Sequence, residues 1–275
     1  MSAPTFSVLL CNYNYARYLR QCLAGVLRQS CKDFEIVLTD DGSTDGSQEI
    51  IREYAAKDAR IKPHYFKENQ GIMAAIADVS KRARGTYIFS HASDDFIVDE
   101  HFFAHALTSF RSHPKTSGFF GLAGLLSVET NKLTGAIGSA PLEGYVTPEA
   151  FYPAFLRGQI FVPGSSSIWR KDLWDAYGGL EPSFGAQTDF VLNHTIPCRH
   201  GIVFTKTAVT CQRIYDKPVN FGSKGTLWEA AARYAKAEER IRSSAEVYDG
   251  MESDWNVWRA RWMVSAIQNT GVKLT

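Results

Sequence analysis

Three clusters of side chains in this chain are of types that can do chemistry, and they lie far apart in the sequence. The first is "TDDGSTDG", with Asp40, Asp41 and Asp45; the second is "CNYNY", with Tyr13 and Asn14; the third is "HASDD", with Asp94 and Asp95. A carboxylate only accepts hydrogen bonds, so Asp41 suits the N3 hydrogen of a uracil or thymine ring. Tyr13 offers a flat face on which such a ring can stack. Adjacent Asp94 and Asp95 suit a hard divalent cation such as Mg2+ or Mn2+, which uses one or two protein carboxylates and keeps water and phosphate oxygens besides. Asp189 follows the glycine-rich "GGLEPSFGAQT" near the start of a helix, where the helix N-terminus favours an ionised carboxylate; it is the candidate general base. Each has a plainer alternative. Asp45, Thr44 and Ser47 suit a helix cap, Tyr13 a core position, "SDD" a turn and Asp189 a first-turn acid.

Several other chemistries are excluded by spacing. A calcium loop starting at Asp41 would put Arg52 where a bidentate glutamate is required. The stretch has no lysine for a Walker loop, and "CNYNYA" stands where a dinucleotide fingerprint would need its glycines. No zinc spacing and no G-x-S-x-G elbow occurs. His64, His91, His101, His105, His113 and His200 read as structural or surface residues, with His194, five residues after Asp189, a secondary candidate.

Elements of alternating period must position these groups. "FSVLL" and "FEIVLT" read as buried strands, followed by helices over about 15–30 and 47–57; "KPHYFK", "GIMAAIADVSKRA" and "GTYIFSHA" continue as strand, helix and strand. Such β-α-β units predict an α/β fold with a mostly parallel sheet, which binds ligands beyond the carboxyl ends of its strands. All three clusters stand at such ends. Further on, residues 117–138 read as a hairpin turning at "ETNK", "TPEAFYPAFLRG" as a helix capped by Thr147, "AQTDFVLNHTI" as a helix, and "GIVFT" and "AVTCQRIY" as two strands. From about Gly225 the pattern is helical, and Trp255, Trp258 and Trp262 fall near one helical face beside Arg259 and Arg261.

The 275 residues, 45% hydrophobic and 21% charged, are ample for a large core, and a net charge of +1 argues against a nucleic-acid partner. Five cysteines, odd in number and without a C-x-x-C pair, predict a reduced cytoplasmic compartment. No secretory signal is evident, and the longest apolar run, residues 118–128, is too short to span a bilayer. The tryptophan-rich helix is expected to pack back on the preceding domain or on a second subunit; peripheral contact with a membrane surface is the alternative.

Together, "FSVLLCNYNYARYLRQCLAGVLRQSCKDFEIVLTDDGSTDGSQEII", "NQGIMAAIADVSKRARGTYIFSHASDD" and "GGLEPSFGAQTDFVL" resemble the family 2 glycosyltransferases, which have the GT-A fold, over roughly residues 5–195. The resemblance implies a nucleotide-sugar donor, UDP- or dTDP-linked, a divalent metal (Mn2+ or Mg2+), and hexosyl transfer with inversion to a hydroxyl of a glycan or lipid-linked saccharide. Carried over by position, it implies donor contacts at Tyr13, Asn14, Asp41, Asn69, Gly71 and Asp94, metal ligation by Asp95 with Asp94, and Asp189 as base. Acceptor contacts are expected around 140–185, with Ser165, Trp169 and Gly179 chosen and Trp174 a further stacking candidate. The expected division is a catalytic domain over 1–220, its donor half 1–98 and its acceptor half 99–220, followed by a helical extension over 221–275. Three positions depart from the family pattern: Ala92 replaces an acid, Ile76-Ala77 an Arg-Asn pair, and Thr188 an acid before the base. They motivate a second reading, a nucleotide-sugar-binding module with little turnover. A sugar-nucleotide-forming nucleotidyltransferase would need a basic, glycine-rich loop after the first strand, which "CNYNYAR" is not.

Overall fold

The computed structural model describes residues 3–180 and 188–215. The expected helical extension at 221–275 and most of the loop before Asp189 lie outside them. Strands β1 (Phe6–Asn12) and β2 (Phe34–Asp40) are almost wholly buried along their length, as predominantly apolar strands covered on both faces must be. Between them α1 (Ala16–Leu27) buries Leu19, Cys22, Leu23 and Val26. The expected helix over 47–57 is α2 (Ser47–Lys57), which buries Ile51; β3 (Ile61–Tyr65), α3 (Ile72–Arg82) and β4 (Tyr87–Ala92) complete the alternating half.

The sheet has ten strands among the described residues, in the order β3-β2-β1-β4-β9-β6-β10-β5, with β7 on β6 and β8 on β10. Strands β1 to β4, β6 (Gly118–Ser127) and β10 (Ile202–Ile214) all run the same way, so the central sheet is mainly parallel. Strands β5 (Phe96–Ile97), β7 (Leu133–Ile137), β8 (Gly144–Val146) and β9 (Ser167–Arg170) run against them. The expected hairpin is β6–β7, with Asn131 in its turn at φ 52°.

Alternation along β1 feeds two cores. Phe6, Val8 and Leu10 join α1, α2 and the Phe102–Phe103 pair of α4 (Phe102–Ser112) on one face. Leu9 joins Val79 of α3, Phe151 of α5 (Pro148–Leu156), Trp169 of β9 and Leu192 of α7 (Thr188–Thr195) on the other. Thr147 caps α5, accepting from Ala150 N at 3.3 Å, with Pro148 in the first turn. The short helices α6 (Lys171–Ala176) and α8 (Pro197–His200) close this layer.

"GIVFT" and "AVTCQRIY" correct the two-strand expectation. They form one 13-residue strand, β10, whose pairing with β6 shifts register between Phe204 and Thr210. Exposed Lys206 and Thr207 interrupt the apolar pattern there, but the pairing resumes beyond them. Among the described residues no helix is long and apolar enough to cross a membrane.

Candidate active site

Register brings the three clusters to one rim. Asn12 pairs with Asp40 and Cys11 with Ala92, so β2, β1 and β4 end almost level, and neighbouring strands lie about 4.8 Å apart. Tyr13 leaves the end of β1 with 44% of its surface exposed, so it is no core residue. Asn14 has φ 57°; its N–H donates to Ser43 Oγ at 2.9 Å and its Oδ1 accepts from Thr44 N at 2.9 Å. Asn14 therefore ties the first rim loop to the second.

The paired aspartates at the end of β2 do different work. Asp40 is fully buried and accepts from Asn12 Nδ2 (2.8 Å), Ser43 N (2.9 Å), Ser43 Oγ (2.7 Å) and Gln48 Nε2 (3.0 Å), which makes it a structural knot. Asp41 turns the other way: Oδ1 accepts from Gln70 N at 2.7 Å and Oδ2 from Gly71 N at 2.9 Å. Its carboxylate thus anchors the loop that carries exposed Asn69. Gly42, at φ +72°, lets that loop approach, because a Cβ there would lie 2.6 Å from the carbonyl carbon of Glu68. Asp45 does not cap α2 from the cap position, which Gly46 holds without a side-chain bond. It accepts from Ser47 N (3.0 Å) and Ala16 N (2.8 Å), bridging the starts of α2 and α1.

Asp94 and Asp95 follow β4 and are both nearly buried, at 9% and 3% exposed. Burial raises the pKa of Asp94, and burial and then the neighbouring Asp94 charge raise Asp95 well above the carboxylate range. Two groups missed by the sequence reading hold them. Tyr215 Oη donates to Asp94 Oδ2 at 3.0 Å, and Arg213 N donates to Asp95 Oδ1 at 2.8 Å. The Arg213 guanidinium also donates to the Asp94 carbonyl. A polar pair such as Arg-x-Tyr at the end of an apolar strand was the signal available. Among the described residues no three His, Cys, Asp or Glu side chains form a metal cluster. Two crowded carboxylates whose ionisation is resisted by burial fit a hard dication that brings its own water or phosphate oxygens, and do not fit a zinc site.

Asp189 begins α7, where Phe190 N donates to its Oδ1 at 2.8 Å. Its carboxyl lies against the 3-10 turn Gly164–Ser166; a Cβ on Gly164 would sit 2.6 Å from Oδ2. Although the residue keeps solvent-exposed surface, the protein packed about its carboxyl raises its pKa by desolvation. The buried His91 ring faces the backbone of both Ser165 and Asp95, and its pKa is pushed down to about 4 by burial. Neither ring nitrogen has a well-formed hydrogen bond among the described residues, and the same holds for Ser93 Oγ and Ser165 Oγ. Asp95, His91, the 164–166 turn and Asp189 are thereby contiguous.

Two expectations on the acceptor side, the sugar-stacking roles of Trp169 and Trp174, are corrected. Trp169 is 1% exposed and donates from Nε1 to Ser167 Oγ at 3.0 Å, so it cannot stack on a sugar. Trp174, at 3%, is core as well. Gly179, at φ +61°, clears the Trp174 indole, whose Nε1 would lie 2.8 Å from a Cβ. His194 is structural: Nδ1 donates to Phe190 O at 2.8 Å and Nε2 accepts from Val162 N at 3.3 Å.

Residues 7–134 match the model of glycosyl transferase family 2. Over 92 residues the chain is 37% identical to a Bacillus subtilis protein named for teichuronic acid biosynthesis, the glycosyltransferase TuaG, covering 34% of this chain and 36% of TuaG. The chain spans two fifths or less of the length of the curated relatives it matches first. Whole-chain likeness supports the GT-A fold. Staphylococcus aureus TarS, solved with UDP-GlcNAc, has TM-score 0.63 and 18% identity, covering 97% of this chain and 81% of TarS. The Pyrobaculum calidifontis mannosyltransferase PcManGT, solved with GDP-Man and Mn2+, has TM-score 0.58 and 17% identity, covering 99% and 77%.

Proposed function

We propose that this chain is an inverting glycosyltransferase that moves a sugar from a nucleoside-diphosphate donor, UDP- or dTDP-linked, to a hydroxyl of a glycan or lipid-linked saccharide. The observation that carries the reading is the buried Asp94–Asp95 pair at the carboxyl ends of the parallel strands, contiguous through His91 with Asp189. Exposed Tyr13 is the base platform, with Asn14, Asp41, Asn69 and Gly71 shaping the loops around it. Asp41 keeps the lone pairs not used by Gln70 and Gly71 for a ring N–H.

Asp95, with Asp94, would hold the divalent ion, which when bound offsets charge on the leaving diphosphate. Asp189 takes the proton of the acceptor hydroxyl as its oxygen attacks the anomeric carbon. The new C–O bond forms as the sugar–phosphate C–O bond breaks, and that electron pair leaves on the diphosphate. A single in-line displacement of this kind inverts the anomeric centre and needs no covalent intermediate. Ser165 and Gly179 are the acceptor-side residues kept from the sequence reading; Ser165 adjoins Gly164, against which the Asp189 carboxyl packs.

The test is nucleoside-diphosphate release from a panel of nucleotide sugars, with Mn2+, by the full chain. Release with at least one donor, lost in Asp95→Ala, is expected; full turnover by Asp95→Ala removes the metal assignment. Ala92, with no third carboxylate beside the acid pair among the described residues, favours the second reading, a donor-binding module. Calorimetric donor binding without transfer to any cell extract would select it.

A further inference from the structure

We propose that the carboxyl end of β10 is a positioning device for the acid pair, in which Tyr215 and Arg213 aim Asp94 and Asp95 at a divalent cation. The inference rests on the function proposed above. Tyr215 Oη engages one oxygen of Asp94 at 3.0 Å, and the Arg213 N–H engages one oxygen of Asp95 at 2.8 Å. A hydrogen bond to one oxygen restricts the rotation of a carboxylate and so the direction of its other oxygen; at Asp94 the Tyr15 hydroxyl adds a second, weaker restraint.

Arg213 fixes the intervening backbone. Its guanidinium donates to the Asp94 carbonyl and, at 2.5 Å, to Gln21 Oε1. It is clamped between the rings of Tyr18, 4.3 Å from the centroid, and Phe96, 4.9 Å. At 7% exposure this cation cannot swing away, and its charge offsets part of the repulsion between the two acids. Pairing of β10 with β5 through Thr210 and Cys211 would close the sheet without these side chains. The phenol and guanidinium reach past that pairing to the acids. Because Ala92 supplies no third ligand, the aim of the two remaining carboxylates matters more here.

Outer partners of metal ligands typically change metal affinity about 10–100-fold when removed. The experiment is Mn2+ titration of the full chain by calorimetry, without donor or turnover, on wild type, Asp95→Asn, Tyr215→Phe and Arg213→Lys, each with a thermal melt. Tyr215→Phe is expected to bind Mn2+ about 10-fold more weakly while keeping the wild-type melting temperature. Arg213→Lys, which keeps the charge but loses the planar fork, is expected to weaken binding as well. Wild-type Mn2+ affinity in Tyr215→Phe overturns the proposal, as does loss of its melting transition, which would assign the hydroxyl to stability. If wild type and Asp95→Asn bind Mn2+ alike, the metal reading of the site fails and this proposal with it. If they differ and Tyr215→Phe matches wild type, only the positioning role fails.

Discussion

An ionised carboxylate buried beside another is held at a cost that a bound cation removes, and Asp95 is in that position. The raised pKa means that the folded chain binds protons more tightly than the unfolded one. Ionisation therefore lowers stability above the raised pKa, and this cost is absent below the ordinary aspartate range. Asp95→Asn should raise the metal-free melting temperature at pH 7, by about 2–4 °C for roughly 1 kcal/mol of relieved repulsion, with no gain near pH 3. A lower melting temperature at pH 7 would contradict this. Asp189 is also raised by burial, and a base must be ionised to accept a proton. The acid limb of kcat/KM should thus lie above the ordinary aspartate range, activity falling as pH drops through it. Asp189→Asn should lower kcat by about 10²–10⁴ with donor binding unchanged.

Loops at the strand ends convert these residues into a site. Gly42 shows how closely the second and third rim loops must approach. In Gly42→Ala the new Cβ would meet Glu68 backbone at 2.6 Å and also carry φ +72°. It should cost roughly 2 kcal/mol or more and weaken donor binding, because Asp41 would lose its grip on Gln70 and Gly71. Gly46→Ala, at φ +92° but with nothing within 4 Å, should cost only the backbone part, about 1–2 kcal/mol. Denaturant unfolding and donor calorimetry of the pair measure both. The positions of Asp41, Asp94 and Asp95 at strand ends were legible because the predominantly apolar strands β2 and β4 precede them. The partners of Asp41 were not, since Gln70 N and Gly71 N are backbone groups that residue type does not mark. Helix α4 carried a readable signal, Phe102, Phe103, Ala106 and Phe110 at helical spacing, that the sequence reading left unused.

At the scale of the molecule, two cores flank one mainly parallel sheet, and the proposed acceptor side rests on the core that contains Trp169. An indole suits a sugar platform or a core equally, and only the packing of β9 between β4 and β6 decides between them. Trp169→Ala should cost about 3–5 kcal/mol. Trp169→Phe should lower stability and leave the acceptor KM unchanged; a raised KM without loss of stability would restore the stacking role. The alternation of helix and strand made the GT-A half legible, whereas Arg213 and Tyr215, more than 110 residues from the acids they hold, reach them only through the closure of β10 on β5. The most direct test of the central claim is a crystal structure of the full chain with UDP and Mn2+. The account predicts Mn2+ on Asp95, its diphosphate beside it, the uracil ring on Tyr13, and Asp189 facing the same cleft; a nucleotide or metal bound away from Asp95 and Tyr13 would contradict it.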